Sequence, residues 1–245
     1  MKRAASAKVL RWQDSFNISN MLNRSRVFWY LKRKFRKKNI RTGGHSQYGQ
    51  DLISYKLLNS PESGVFVDIG ANDGVTFSNS LLFEQKGWRG LCVEPHPEIF
   101  KSLSSSRKCH LLNACISESS QPVQFMAVQG ESHMLSGISN FIDERHLERI
   151  RREVSENNGG VTEATIESIH PNDLFEKFGI SHIDFLSIDT EGCELPILQN
   201  IDFGKHPVKC ICVENGSRSS QIFQFLTSLN FRLAMCVGCD EIYLS

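Results

Sequence analysis

An α/β fold, a mostly parallel sheet buried between two layers of helices, is predicted for most of this 245-residue chain by three observations. From Gly64 onward, short apolar runs recur without polar alternation, as strands buried on both faces require. Stretches with helical spacing separate them, the order that builds parallel strands. Several of the runs stop at an acid followed by glycine, asparagine or proline, residues that punctuate strand ends.

Val65–Ile69 is the first strand, an apolar run holding one acid, and Leu81, Leu82 and Phe83 lie on a helix closing at Gly87. Gly90–Glu94 is the second strand, stopped by Pro95, and Glu98–Leu103 opens the next helix. Leu111 and Leu112 lead a third strand to Asn113, and Gln121–Val128 reads as an additional strand. The polar, glycine-containing stretch 129–160 reads as a mobile loop with a short charged helix over 143–154. Ile166–Phe178 reads as a strand end and a helix, leading into the strand "IDFLSID" at 183–189. Helix Glu194–Ile201, strand Lys209–Glu214, helix Ser219–Leu229 and two closing strands (231–237 and 240–244) complete the series, with no internal repeat.

The formal net charge of +1 conceals an asymmetry. Residues 1–41 hold thirteen Lys and Arg against Asp14 alone, and the remainder holds fifteen against twenty-six acids. The division is a basic arm (1–44) and a folded domain (45–245), joined at Thr42-Gly43-Gly44. Within the arm, "SRVFWYLKRKFRKKN" (25–39) sets Val27, Phe28, Tyr30, Leu31 and Phe35 beside a cationic face, which suits either an anionic membrane surface or packing on the protein's own domain. An organellar presequence is a further reading, since residues 1–13 contain no acid. Nucleic acid is not expected as a partner, because the folded part is acidic.

No apolar run approaches the roughly 20 residues that cross a bilayer. No secretory signal pattern opens the chain. The eight cysteines fall largely in apolar strand stretches, as free thiols in a reducing cytosol would, so a cytoplasmic location, peripheral to a membrane through the arm, is expected. Cys236 and Cys239 lack a second ligand pair for zinc and suit the turn between the closing strands.

The stretch Asp68-Ile69-Gly70-Ala71-Asn72-Asp73-Gly74 carries the chemistry. In such sheets the ligand crevice lies beyond the carboxyl ends of the strands. Gly70 and Gly74 permit positive φ and close backbone approach, and Thr76 or Ser78 is placed to cap the following helix. Counted from Gly70, a dinucleotide fingerprint needs glycine where this chain has Asn72 and Val75. Asp68 and Asp73 would also repel a pyrophosphate, whereas they suit the sulfonium and ammonium of S-adenosylmethionine. Glu94, ending the second strand, is placed to accept two ribose hydroxyls of either cofactor.

These pieces resemble the FkbM-type family of class I, S-adenosylmethionine-dependent methyltransferases. The matching stretches are "SQYGQDL" (46–52), "GVFVDIGANDGVTFSNS" (64–80), "GWRGLCVEPHPEIFKSL" (87–103), "NACIS" (113–117), "IDFLSIDTEGCELPIL" (183–198) and "CICVEN" (210–215). The resemblance implies a Rossmann-like, three-layer α/β/α domain with a mostly parallel seven-stranded sheet whose last strand is antiparallel. It also implies O-methylation of a sugar, glycan or small secondary metabolite. Carried over by motif, Asp68, Gly70, Asn72 and Gly74 hold the methionine part, Glu94 the ribose, and Asn113 and Ala114 the adenine, with Ala71, Asp73 and Pro95 among the cofactor-binding residues. Ser46, Gln47, Tyr48 and Gln50 form a cover segment, and Asp189 and Glu191 border the site of methyl transfer.

Methyl transfer to oxygen needs the acceptor aligned and its proton removed. Asp189, Glu191 and Glu214 are the candidate catalytic carboxylates, each just past or at a buried strand end, while Glu194 suits helix-end electrostatics. Asp189 with Glu214-Asn215 resembles the magnesium site of catechol O-methyltransferases, so a magnesium ion held by these oxygens is a further expectation. His133, His170 and His182 are alternative bases, His133 alone being placed near the mouth of the site. A methyltransferase-like, membrane-associated binding module without catalysis is the competing reading.

Overall fold

The computed structural model describes residues 43–245, so all but the last two residues of the basic arm lie outside the described residues. The core is a seven-stranded sheet of β1 (Val65–Ile69), β2 (Arg89–Val93), β3 (His110–Leu112), β9 (Ile183–Ile188), β10 (Val208–Glu214), β11 (Arg232–Val237) and β12 (Asp240–Leu244). Its order is β11-β12-β10-β9-β1-β2-β3. The pairings from β10 through β9, β1 and β2 to β3 are all parallel, and β12 runs antiparallel to both β10 and β11.

Because the parallel strands β1, β2, β9 and β10 are buried on both faces, alternate residues feed two separate cores. On β1, Val65, Val67 and Ile69 join one apolar cluster and Phe66 joins the other. On β10, Ile211 and Val213 join the first, with Cys210 and Cys212 in the second. The first cluster packs under α5 (Pro171–Lys177), α6 (Glu194–Gln199) and α7 (Ser220–Ser228) through Leu174, Phe175, Ile197, Leu198, Ile222 and Leu226. The second packs under α1 (Gln50–Leu57), α2 (Leu81–Gln85) and α3 (Pro97–Ser106), where Phe83 stacks on Phe185 with ring centroids 4.3 Å apart.

The stretch 129–160, predicted as a mobile loop with a short charged helix over 143–154, has that helix, and the rest of it is folded as well. β5 (Val123–Val128) pairs antiparallel with β6 (Gly137–Ile138) and β7 (Val161–Ile166), and a 3-10 turn (Gly130–Leu135) and α4 (Glu144–Glu156) complete a cap. A small core of Val128, Leu135, Ile142 and Ile150 holds the turn and α4 to the cap. Sparse apolar spacing among many charges makes this core hard to see in sequence. The short strands β4 (Cys115–Ile116) and β8 (Ser168–Ile169) pair at its root.

The cysteines are free thiols, and Cys236 and Cys239 flank Gly238 in the β11–β12 turn. Among the described residues, no helix is long and apolar enough to cross a membrane.

The strand order reverses at β1, whose neighbours are β2 and β9, and the ends of these three strands therefore open a crevice. The second core depends on Phe83, which is fully buried. Phe83→Ala is expected to lower the free energy of unfolding by about 3–5 kcal/mol, read as a fall in the denaturant midpoint with its slope unchanged.

Candidate functional site

The crevice encloses about 950 Å³ of empty space, its open mouth included, and is walled by the β1 loop, the end of β2, the end of β9 and the cap. Its floor begins with the turn after β1. Gly70 takes φ +87°, and a Cβ there would lie 1.7 Å from the carbonyl oxygen of Asp189. The glycine is thus demanded by the backbone beyond β9, which also donates Asp189 N–H to Ile69 O at 3.0 Å. Gly70 N–H and Ala71 N–H both donate to Val93 O, tying the turn to β2. Gly74 faces the other way, against Arg107 and Leu103 of the second core.

Glu94 joins two loops through one carboxylate. One oxygen accepts from Asn72 N–H at 2.9 Å and the other from His96 N–H at 2.8 Å. Each oxygen keeps a further lone pair for a ligand. Burial pushes Glu94 up to about 7, with Asp68 adding to the shift and the two backbone bonds opposing it. Asp68 is also buried, and accepts from Ser80 Oγ at 2.5 Å. Its burial raises its pKa against hydrogen bonds from Ser80 and Ser187 and the charge of Arg107. Asp73 is spent locally, accepting from Val75 N–H, Thr76 N–H and Thr76 Oγ1. Burial pushes Asp73 up, but these bonds from Thr76 and Val75 outweigh it and its pKa is lowered. Ser80, not Thr76 or Ser78, is the N-cap of the next helix, and Ser78 Oγ two residues before it accepts from Ser80 and Leu81 N–H.

At the far wall, Asp189, Glu191 and Glu214 bring one carboxylate oxygen each within 4.8 Å of one another. Glu191 is a non-glycine residue at φ +57°, a conformation that costs energy and here turns its side chain into the cluster. It faces His146 Nδ1 at 3.4 Å and Arg149 Nη1 at 3.8 Å, both on α4 of the cap. Glu194 braces the loop, accepting from Thr190 N–H, Thr190 Oγ1 and Gly192 N–H. Asn215 is turned away: its Nδ2 donates to Ser219 O and Glu241 Oε1, so Glu191 takes the place expected of it among the clustered oxygens.

Burial and mutual repulsion raise every acid of this cluster. Asp189 rises well above the carboxylate range through burial, then through Glu214 and Asp240. Glu191 rises to about 8 through burial and Asp189, with Arg149 opposing. Glu214 rises to about 8 through burial, Glu191 and Glu194.

Of the residues expected at the site, Asp68, Gly70, Ala71, Asn72, Glu94, Pro95, Ala114, Asp189 and Glu191 line the crevice. Gln47, Tyr48, Gln50, Asp73, Gly74, Asn113 and Glu214 lie outside its lining. Asn113 instead fastens the β2 loop through Glu94 O and Pro95 O. The expected cover segment is built into the fold: Ser46 Oγ donates to Asp51, Gln50 Nε2 donates to Asp240 at 2.5 Å, and Tyr48 lies against Gly238. His133 reaches the crevice, with Nε2 3.0 Å from Asn72 Oδ1. His170 caps α5, and His182 sits 3.7 Å from Asp184 at the opposite, amino end of β9. Sequence reasoning missed Asn79 and Ser187 in the lining and His146 and Arg149 above the acids. For the last two a signal existed: 146, 149 and 153 follow helical spacing beside the apolar 147, 150 and 154.

Residues 68–233 match the family model described as the Methyltransferase FkbM domain. Methyltransferase sdnD of Sordaria araneosa is 25% identical over 167 residues, which cover 60% of this chain and 64% of that protein, so the match spans about two thirds of the relative's length. Among solved structures, a methyltransferase from Geobacter sulfurreducens aligns with a TM-score of 0.42 at 12% identity, over 96% of this chain and 99% of that one. A human methyltransferase 10 domain containing protein aligns with a TM-score of 0.36 at 10% identity, over 79% and 78%.

Because Glu214 titrates near 8 when folded and near 4.5 when unfolded, its contribution to stability is fully present below about pH 4.5 and is lost as pH rises through 8. Glu214→Gln is therefore expected to stabilise the protein relative to the unchanged chain by on the order of 1 kcal/mol at pH 9 and by less at pH 5, in metal-free buffer. Denaturation at the two pH values checks this, and a pH-independent difference contradicts it.

Proposed function

The chain belongs to the FkbM-domain methyltransferase family, and from that premise we propose that it methylates a hydroxyl of a sugar, glycan or small secondary metabolite, with S-adenosylmethionine as donor. The observation that carries the reading is a crevice at the switch point of the sheet whose walls bear buried acids and no fixed cation in the lining. When bound, S-adenosylmethionine supplies an electrophilic methyl group on a sulfonium. Glu94 would accept the ribose hydroxyls with its remaining lone pairs, while Asp68 would face the positive end of the methionine part. Ala114, with Ile99 and Ile116 behind it in the lining, would give the adenine an apolar seat.

The acid cluster supplies the proton chemistry. A group whose pKa lies near ambient pH is effective at accepting a proton in a transition state. Glu191 and Glu214, both near 8, meet that condition where Asp189 opens onto the crevice. Arg149 and His146 hold Glu191 toward the other two acids, so the cap sets the geometry of the cluster. The three carboxylates also fit a magnesium ion, being hard oxygen donors already gathered. Such an ion would offset their repulsion and acidify a hydroxyl bound beside them.

Calorimetry of the full chain with S-adenosylmethionine is expected to show binding, and Glu94→Ala to weaken it by about 10- to 100-fold, the value of one or two hydrogen bonds to a charged group. A correctly folded protein that binds none at millimolar concentration would favour the non-catalytic module instead. Turnover of a labelled methyl donor with an acceptor extract, measured after exhaustive chelation, is expected to fall and to recover on adding magnesium. Undiminished turnover would remove the metal.

A further inference from the structure

Asn79 stands between Ser78 and Ser80, where the β1 loop enters α2. It is 8% exposed and lines the crevice, yet its amide is half satisfied. Nδ2 donates to Ser187 Oγ at 3.2 Å, while Oδ1 is buried without a partner. Ser187 is fully buried on β9 opposite Asp68 of β1, where its hydroxyl helps to hold down the Asp68 pKa. Because Ser187 Oγ takes the Asn79 Nδ2 hydrogen, the amide nitrogen is held toward the sheet and the carbonyl oxygen is left without a partner.

Asn72, across the same crevice, shows the opposite deficit. Its Oδ1 meets His133, and its buried Nδ2 lacks a partner. One unsatisfied acceptor in the same lining as a buried carboxylate, and one unsatisfied donor, match the two ends of a free α-amino acid group.

We propose that Asn79 Oδ1 accepts a hydrogen bond from the ammonium of the cofactor's amino acid part, with Asp68 supplying the opposing charge and Asn72 Nδ2 donating to the carboxylate. This rests on the reading that the crevice holds S-adenosylmethionine. Ser187 is a positioning residue, since it acts by orienting the Asn79 amide.

The test compares the affinity of the full chain for S-adenosylhomocysteine with that for its analogue lacking only the amino group. The unchanged chain is expected to bind the deaminated analogue at least about tenfold more weakly. Asn79→Ala is expected to lose about tenfold for S-adenosylhomocysteine and to bind the deaminated analogue as the unchanged chain does. Asn79→Leu, close to asparagine in volume, is expected to behave alike and serves where the alanine variant does not fold. Equal binding of the two ligands by the unchanged chain, or equal losses for both in the variants, overturns the assignment while the cofactor reading stands. Binding of neither ligand by the unchanged chain overturns both.

Discussion

The structure is organised around negative charge gathered at the carboxyl end of its central strands, part of it buried and part half-buried. Asp68 lies on β1, Glu94 and Asp189 directly follow β2 and β9, Glu214 closes β10, and Asp240 opens β12. Taking a carboxylate out of water is costly unless it is paired or protonated. Arg107 acts on Asp68 and Arg149 on Glu191, but the acids outnumber these cations and hold protons more tightly: Glu94 near 7, Glu191 and Glu214 near 8, Asp240 near 6. A fold that keeps such a concentration of acids gives up stability there, and a cationic ligand recovers it. This sign also argues against a dinucleotide, whose pyrophosphate would meet the same charges.

The acids also hold the crevice in shape. Glu94 clamps the β1 loop to the β2 loop, and Glu194 clamps the turn after β9. Asp68 joins Ser80, and Ser187, opposite it on β9, joins Asn79. Replacing one of these groups therefore alters both the charge and the backbone that presents it. The cap adds a second dependence, because Arg149 and His146 reach Glu191 only while α4 is seated on its small apolar core.

The sheet was legible in the sequence because strands buried on both faces leave uninterrupted apolar runs, and an acid ending such a run stands out. That logic placed Asp68, Glu94, Asp189 and Glu214 at strand ends. Where a residue's partner is distant, a local reading does not find it. Gln50 follows a motif expected to cover the cofactor, yet it bonds Asp240, 190 positions away. Gly70 was read as leaving room for a ligand, but the group that excludes a side chain is the backbone of Asp189. Asp73 was read as ligand-facing although its hydrogen bonds close on the next three residues. In the cap the strand and the charged helix were legible, but the segments between them were read as loop because the core that holds them is four apolar residues spread over twenty-three positions of mostly polar chain. Asn79 carried no visible signal, since its orientation depends on a serine 108 residues further on.

The central claim is that the crevice between the ends of β1, β2 and β9 holds a sulfur nucleoside by its acids. A crystal structure of the full chain with S-adenosylhomocysteine tests this most directly. The account requires density for the nucleoside in that crevice, with both ribose hydroxyls on the Glu94 carboxylate and the amino acid end beside Asp68. Density elsewhere on the protein, or a nucleoside turned so that its ribose lies away from Glu94, would contradict it.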